Sequence, residues 1–247
     1  MSHHDKEIDM TITANPTTAA RVSTDSARKT AFVAGTFYVL TFLTSIPALA
    51  LYAPVLNNAD YVLGAGSDTR VLWGGLLEVL CALACIGTAV TLFPVVKRQN
   101  EAAALGFVAA RVLEAGVILV GVVSLLSVVT LRQDASGTDS AALVTTGKSL
   151  VAIHDWTFLI GPGVIPAVNA LCLGYLLYRS RLVPQAIPLL GLIGAPILLA
   201  SATATLFGVY DQVSSAAMLA ALPIAVWEGS LGIWLMVKGF RPSPILA

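Results

Sequence analysis

The chain has 247 residues, of which 57% are hydrophobic and only 11% are charged, and its mean hydropathy is +0.84. An ordinary soluble domain is about 45–50% apolar and about 25% charged, so lipid rather than water is predicted to be the main solvent. The 14 basic residues balance 14 acidic ones, and no basic run is present, so the sequence predicts no nucleic-acid partner. The cysteines at 81, 85 and 172 lie in apolar runs without zinc or disulfide spacing, and neither a metal site nor a cofactor is predicted.

Residues 1–27 are rich in Thr, Ser, Ala and acids and are predicted to form a disordered cytoplasmic tail. Residues 28–241 are predicted to form the transmembrane domain, and residues 242–247 a short C-terminal tail. A helix needs about 20 apolar residues to cross the hydrocarbon. Six segments satisfy this, at about residues 31–52, 71–96, 102–131, 151–178, 187–209 and 215–237.

These runs are apolar on all faces, whereas the strands of a membrane barrel alternate. The prediction is therefore an all-α, polytopic membrane protein, a bundle of six transmembrane helices. The alternative of a cleaved signal peptide at the first segment is disfavoured, because the apolar run is long and follows a long acidic tail.

Basic residues are concentrated in alternate loops. The loops on one side of the predicted membrane contain Arg28, Lys29, Lys97, Arg98, Arg179, Arg181, Lys238 and Arg241. Those on the other side contain only Arg70, Arg132 and Lys148, together with several aspartates. The positive-inside rule then predicts that both termini are cytoplasmic.

Six ionisable residues fall inside the predicted segments: Glu78, Arg111, Glu114, His154, Asp155 and Glu228. A charged group at the centre of a membrane helix costs about 2.5–3.5 kcal/mol on insertion scales, so these groups should face the bundle interior. Arg111 and Glu114, three apart, share one helix face. Because Arg111 carries five donors, we expect it to reach a second acid, Glu228 or Glu78.

Carboxylates outnumber cations in this set, so some acids are neutral, or the site is wet, or a cation binds. The same residues are compatible with a satisfied network that only fixes helix packing.

Segment four contains "GPGVIP", with Gly161, Pro162, Gly163 and Pro166 near the bilayer midplane. Each proline removes a backbone donor, which predicts a helix break at these four residues. Asp155 and Asn169 fall on the same face as the two prolines. Because segment five contains a similar "GLIGAP", the pair is compatible with the broken helices of transporter sites or with simple kinks.

The runs "LTFLTSIPALALY", "AARVLEAG", "HDWTFLIGPG", "GYLLYRSRLVP", "LGLIGAP" and "GIWLMVKGF" together resemble a bacterial integral-membrane family, the domain of unknown function 4386. The resemblance spans about residues 31–240. It implies a multi-pass protein of the bacterial plasma membrane without an established activity, and it supplies no catalytic residue.

Two functions are compatible with the sequence. The favoured hypothesis is the handling of a small molecule, a proton or another ion through a buried polar site, with Arg111 holding an anion or neutralising an acid and the glutamates exchanging protons. The alternative is a structural or regulatory membrane protein, or a complex subunit. An enzyme is disfavoured, because neither G-x-S-x-G nor H-E-x-x-H is present.

Overall fold

The computed structural model describes residues 16–64, 67–134, 137 and 139–246, and every regular element in this part is helical. Six helices are long and apolar enough to cross a membrane, which confirms the predicted fold class. They are α1 (Pro16–Leu56), α2 (Thr69–Val96), α3 (Glu101–Gln133), α4 (Ser140–Ser180), α5 (Ala186–Leu206) and α6 (Ser215–Val237). Short 3₁₀ helices cover Tyr61–Leu63 and Pro244–Leu246.

The first and fourth helices are longer than predicted. Helix α1 begins at Pro16, so the predicted disorder is wrong for residues 16–27, whereas residues 1–15 lie outside the described residues. Extending a helix that is already nucleated costs little, and proline is tolerated at a first helical position. Helix α4 begins at Ser140, where the Asp139 side chain accepts a hydrogen bond from the amide of Ala141.

The predicted break at Gly161, Pro162, Gly163 and Pro166 is not present. Helix α4 continues through both prolines to Ser180, and α5 likewise continues through Pro196. A proline removes one backbone hydrogen bond, but the bonds on either side remain and neighbouring helices support the segment. Both α4 and α5 are therefore continuous, and the broken helices of transporter sites are not observed in them.

The six helices form a closed ring. Each packs on the next along the chain, α6 packs on α1, and contacts across the ring are few. The N-terminal half of α1 meets the C-terminal half of α6 at Gly35 and Gly232. We call the end of the bundle that carries Arg28 and Lys238 the terminal end, and the opposite end, which carries the α1–α2, α3–α4 and α5–α6 loops, the far end.

The terminal end is closed by a contact between α1 and α6. The Arg28 guanidinium donates hydrogen bonds to the carbonyl oxygens of Leu235, Met236 and Val237, at 3.3, 3.0 and 3.0 Å. These carbonyls belong to the last turn of α6, where a cation is favoured. The Leu235 oxygen also accepts from the Gly239 amide. The first and last transmembrane helices are thereby joined.

At the far end, the Asp68 carboxylate forms an ion pair with Arg132 at the end of α3. The Tyr61 hydroxyl donates to Asp68 Oδ1 at 2.7 Å, and the Arg132 guanidinium lies over the Tyr61 ring at 4.7 Å. Burial alone would raise the pKa of Asp68, but the hydrogen bonds from Tyr61 and Gln133 and the charge of Arg132 outweigh burial and lower the pKa below its ordinary value. This cluster connects the α1–α2 loop to α3.

We predict that Asp68→Asn lowers the free energy of unfolding by about 1–3 kcal/mol at pH 7. Because the folded-state pKa of Asp68 is depressed, its stabilisation is present above the unfolded pKa of about 3.9 and is lost as the pH falls through the folded value. Thermal unfolding of the two proteins from pH 7 down to pH 3 should show the difference shrinking at the acid end. A difference that stays constant to pH 3 would contradict the ion pair.

Candidate functional site

Helix α3 supplies two of the charged groups of the site, Arg111 and Glu114. Its buried residues recur at spacings of three and four, at positions 104, 107, 111, 114, 118, 121, 125 and 128. Arg111 and Glu114 occupy two consecutive positions of this otherwise mostly apolar stripe, with 1% and 5% of their surfaces exposed. The helix therefore directs both charges into the ring rather than toward lipid, as the insertion cost requires.

Arg111 pairs with two carboxylates. Its Nη1 lies 3.0 Å from Glu114 Oε2, and its Nη2 donates to Glu228 Oε1 on α6. The second acid expected from the donor count is thus Glu228 rather than Glu78. The guanidinium also lies over the Tyr38 ring of α1 at 5.1 Å, and Nη1 is 3.7 Å from the Cys85 sulfur of α2.

Asn169 brings α4 into the same network. Its fully buried amide Nδ2 donates to Glu114 Oε2 at 2.6 Å. We call Arg111, Glu114, Asn169 and Glu228 the polar centre. With Tyr38 and Cys85, it receives side chains from five of the six helices.

Several buried polar atoms around the polar centre have no hydrogen-bond partner within the described part of the chain. They are Arg111 Nε, Asn169 Oδ1 and the Tyr38 hydroxyl. Most buried polar groups in proteins are paired, so each unpaired one calls for an explanation such as a strained, reactive or ligand-binding position. The polar centre therefore combines two ion pairs with polar atoms that have no hydrogen-bond partner among the described residues.

Glu78 lies close to the polar centre but takes no part in its ion pairs. It lines the same cavity as Arg111, Glu114 and Glu228, and none of the described residues forms a hydrogen bond or ion pair with its carboxylate. Nor do the described residues contain a group of three or more His, Cys, Asp or Glu side chains placed to hold a metal ion.

His154 and Asp155 do not join this centre. The His154 ring is buried between the rings of Tyr52 and Phe158, with centroid distances of 5.8 and 6.1 Å. Its Nδ1 lies 3.4 Å from Asp155 Oδ1, but 61% of the Asp155 side chain is exposed. The His154 ring therefore faces the bundle interior, where it interacts electrostatically with the Glu78 carboxylate. The Asp155 side chain faces outward, because adjacent helical residues point about 100° apart.

The polar centre lies at the base of a cleft. A cavity of about 300 Å³ brings together Arg111, Glu114, Glu228 and Glu78 with apolar side chains of α1, α3, α4, α5 and α6. A second cavity of about 230 Å³ shares Leu49, Phe158, Pro162, Leu198 and Ala221 with the first and reaches Gln212 and Val213 in the α5–α6 loop. Together these two cavities, which we call the cleft, extend from the polar centre to the far end.

Sequence reasoning missed Tyr38 and the hydroxyl side chains of α1 that line the cleft, Thr41 and Ser45. The signal in the sequence is the helical spacing of Ala31, Ala34, Tyr38 and Thr41, all four of which are buried in the structure. This stripe marks the inward face of α1.

A ring of six apolar helices around a buried charged centre defines a multi-pass integral membrane protein. Residues 33–239 match the model of the family described as "Domain of unknown function (DUF4386)". Because this match covers most of the 247 residues, the chain belongs to that family, and the resemblance drawn from the quoted runs is confirmed. Searches of curated proteins and of solved structures found no significant match.

Proposed function

We propose that this protein binds and handles a small molecule or ion at the polar centre, which the ligand reaches through the cleft. The observation that carries the proposal is the cavity of about 300 Å³ whose wall contains three carboxylates and one guanidinium. Concave sites with apolar walls and a few converging polar groups are the usual form of small-molecule sites. Ionisable residues inside a membrane also point to function by default.

The asymmetry of the bundle supports this proposal. At the terminal end, Gly35 packs against the backbone of α6 and Arg28 binds the last turn of that helix. Toward the far end, the cleft lies between α1 and the parts of α4, α5 and α6 nearest the α5–α6 loop. A ligand would therefore enter from the far end.

We further propose that the protein lies in a bacterial plasma membrane with both termini in the cytoplasm. The terminal end carries the basic residues Arg28, Lys97, Arg98, Arg179 and Lys238, as the positive-inside rule requires of a cytoplasmic face. In this orientation the cleft opens away from the cytoplasm.

One observation favours a purely structural role instead. Both Nη atoms of Arg111 are engaged by acids, and Glu114 also accepts from Asn169, so the polar centre could serve to fix helix packing. However, a structural network gives no reason for Glu78 to face the same cavity without a hydrogen bond or ion pair to a described residue. The two functions differ in whether the cleft admits water and ligands.

The test is the reactivity of a thiol placed in the cleft. In a chain whose three cysteines are replaced by alanine, Ser45→Cys adds a thiol to the cavity wall. Leu43→Cys, two residues away at a position 64% exposed on the lipid-facing surface, is the matched control. We expect a membrane-impermeant cationic methanethiosulfonate to label Ser45→Cys at least about tenfold faster, because thiolates and hydrated reagents are excluded from hydrocarbon.

Equal and slow labelling of the two positions would mean that the cleft is closed to water, and the structural role would then stand. Fast labelling of Ser45→Cys from the far end in membrane vesicles, with slow labelling of Leu43→Cys, supports the binding site. The same labelling assay shows whether an added compound protects the cleft thiol.

A further inference from the structure

We infer that the ligand of the cleft is an amphiphilic monocation, a compact apolar body carrying one ammonium group, and that Glu78 is its counter-ion. The inference rests on the proposed function and names its ligand class.

The sign of the ligand follows from the charges on the cavity wall. Three carboxylates face one guanidinium there, and Arg111 already uses its two Nη atoms on Glu114 and Glu228. An anionic ligand would compete with two acids for Arg111 and would also face Glu78. A cation meets an acid, Glu78, whose carboxylate forms no hydrogen bond or ion pair with a described residue, since the His154 ring interacts with it only beyond salt-bridge distance. A carboxylate in an apolar setting is costly unless it is protonated or acquires a close cation.

The apolar body follows from the rest of the wall. Most of the lining is hydrocarbon, contributed by Phe42, Ile46, Leu49, Ile118, Phe158, Leu198 and Ile224. A strongly hydrated metal ion or a sugar would leave its water without compensation from these side chains. A hydrocarbon body instead gains free energy by burial against them.

Aromatic rings contribute a second feature that favours a cation. Phe42 of α1 and Phe158 of α4 both line the cavity that contains Glu78. The face of an aromatic ring attracts an ammonium group, and the attraction increases when the site is desolvated. The Phe158 ring stacks on His154, so Phe42 and the other face of Phe158 are the ring surfaces left to contact a cation in the cavity that Glu78 lines.

The experiment uses three compounds that share one apolar body, namely 1-adamantylamine, 1-adamantanol and adamantane-1-carboxylate. Binding is measured at neutral pH on the full chain in nanodiscs of zwitterionic phosphatidylcholine, so that the membrane surface does not select for charge. We expect the amine to bind about 10–100-fold tighter than the alcohol, the range that a charge-assisted contact supplies. Glu78→Gln should remove this preference and leave the affinity for the alcohol unchanged.

Glu101→Gln is the matched control, because Glu101 is an exposed glutamate at the start of α3 on the terminal end. It should keep the preference for the amine. If Glu78→Gln fails to fold, protection of Ser45→Cys from labelling by the amine and the alcohol provides the same comparison with Glu78 intact, and equal protection by both overturns the inference.

Four results would overturn the inference: equal binding of amine and alcohol, preferred binding of the carboxylate, a preference for the amine that survives Glu78→Gln, or no binding of any of the three. The first three leave a ligand in the cleft, so the proposed function survives them. In the fourth case the Ser45→Cys reactivity decides the proposed function independently.

Discussion

Replacing Arg111 with methionine is expected to lower the free energy of unfolding by about 3–5 kcal/mol, the usual cost of removing one member of a buried ion pair. Arg111 is 1% exposed and is the cation for both Glu114 and Glu228. Methionine is shorter than arginine but has a similar side-chain volume, so much of the packing is retained while the charge is lost. The loss should appear as a lower midpoint of thermal unfolding in detergent and a smaller monodisperse fraction.

Adding Glu228→Gln to Arg111→Met should recover part of this loss, and adding Glu114→Gln as well should recover more, because neutral amides carry no uncompensated charge. Arg179→Met is the matched control, since Arg179 is exposed at the end of α4, and it should change stability by about 0.5 kcal/mol or less. If Arg111→Met were as stable as Arg179→Met, the polar centre would not be held together by ion pairs.

The helices and one ion pair could be predicted from the sequence for definite reasons. Span length follows from the thickness of the hydrocarbon, which is why six segments were found. A second acid for Arg111, either Glu228 or Glu78, followed from counting donors, because a guanidinium has more of them than one carboxylate can accept. Neither inference requires knowledge of how the helices are rotated.

Other features depend on how each helix is rotated about its axis and how far it lies from its neighbours. A single sequence provides neither quantity. The cost of charge in lipid predicted that Asp155 faces the bundle interior, but packing turns His154 inward and leaves 61% of the Asp155 side chain exposed. The prolines at 162 and 166 predicted a break, yet the remaining hydrogen bonds keep α4 continuous. The cleft is lined by residues from all six helices, so it exists only in the assembled ring.

The second large effect is expected where α1 and α6 close that ring. A Cβ atom at Gly35 would lie 2.5 Å from the carbonyl oxygen of Gly232, 2.7 Å from the amide nitrogen of Met236 and 2.8 Å from its Cγ. Two of these three atoms belong to the backbone of α6 and cannot move without moving the helix. We therefore predict that Gly35→Ala lowers the free energy of unfolding by about 1–3 kcal/mol or more, as overpacking does.

Gly116→Ala in α3 separates this steric effect from the helix propensity of alanine, because a Cβ atom there would meet nothing within 4 Å. Alanine is favoured over glycine inside a helix by about 0.5–1 kcal/mol, so the control should unfold at the same temperature as the parent or slightly higher. Gly35→Ala gains the same propensity, and a lower unfolding temperature there measures the clash itself. If the two variants unfold together, α1 and α6 are not in backbone contact, and the closed terminal end on which the asymmetric cleft depends is absent.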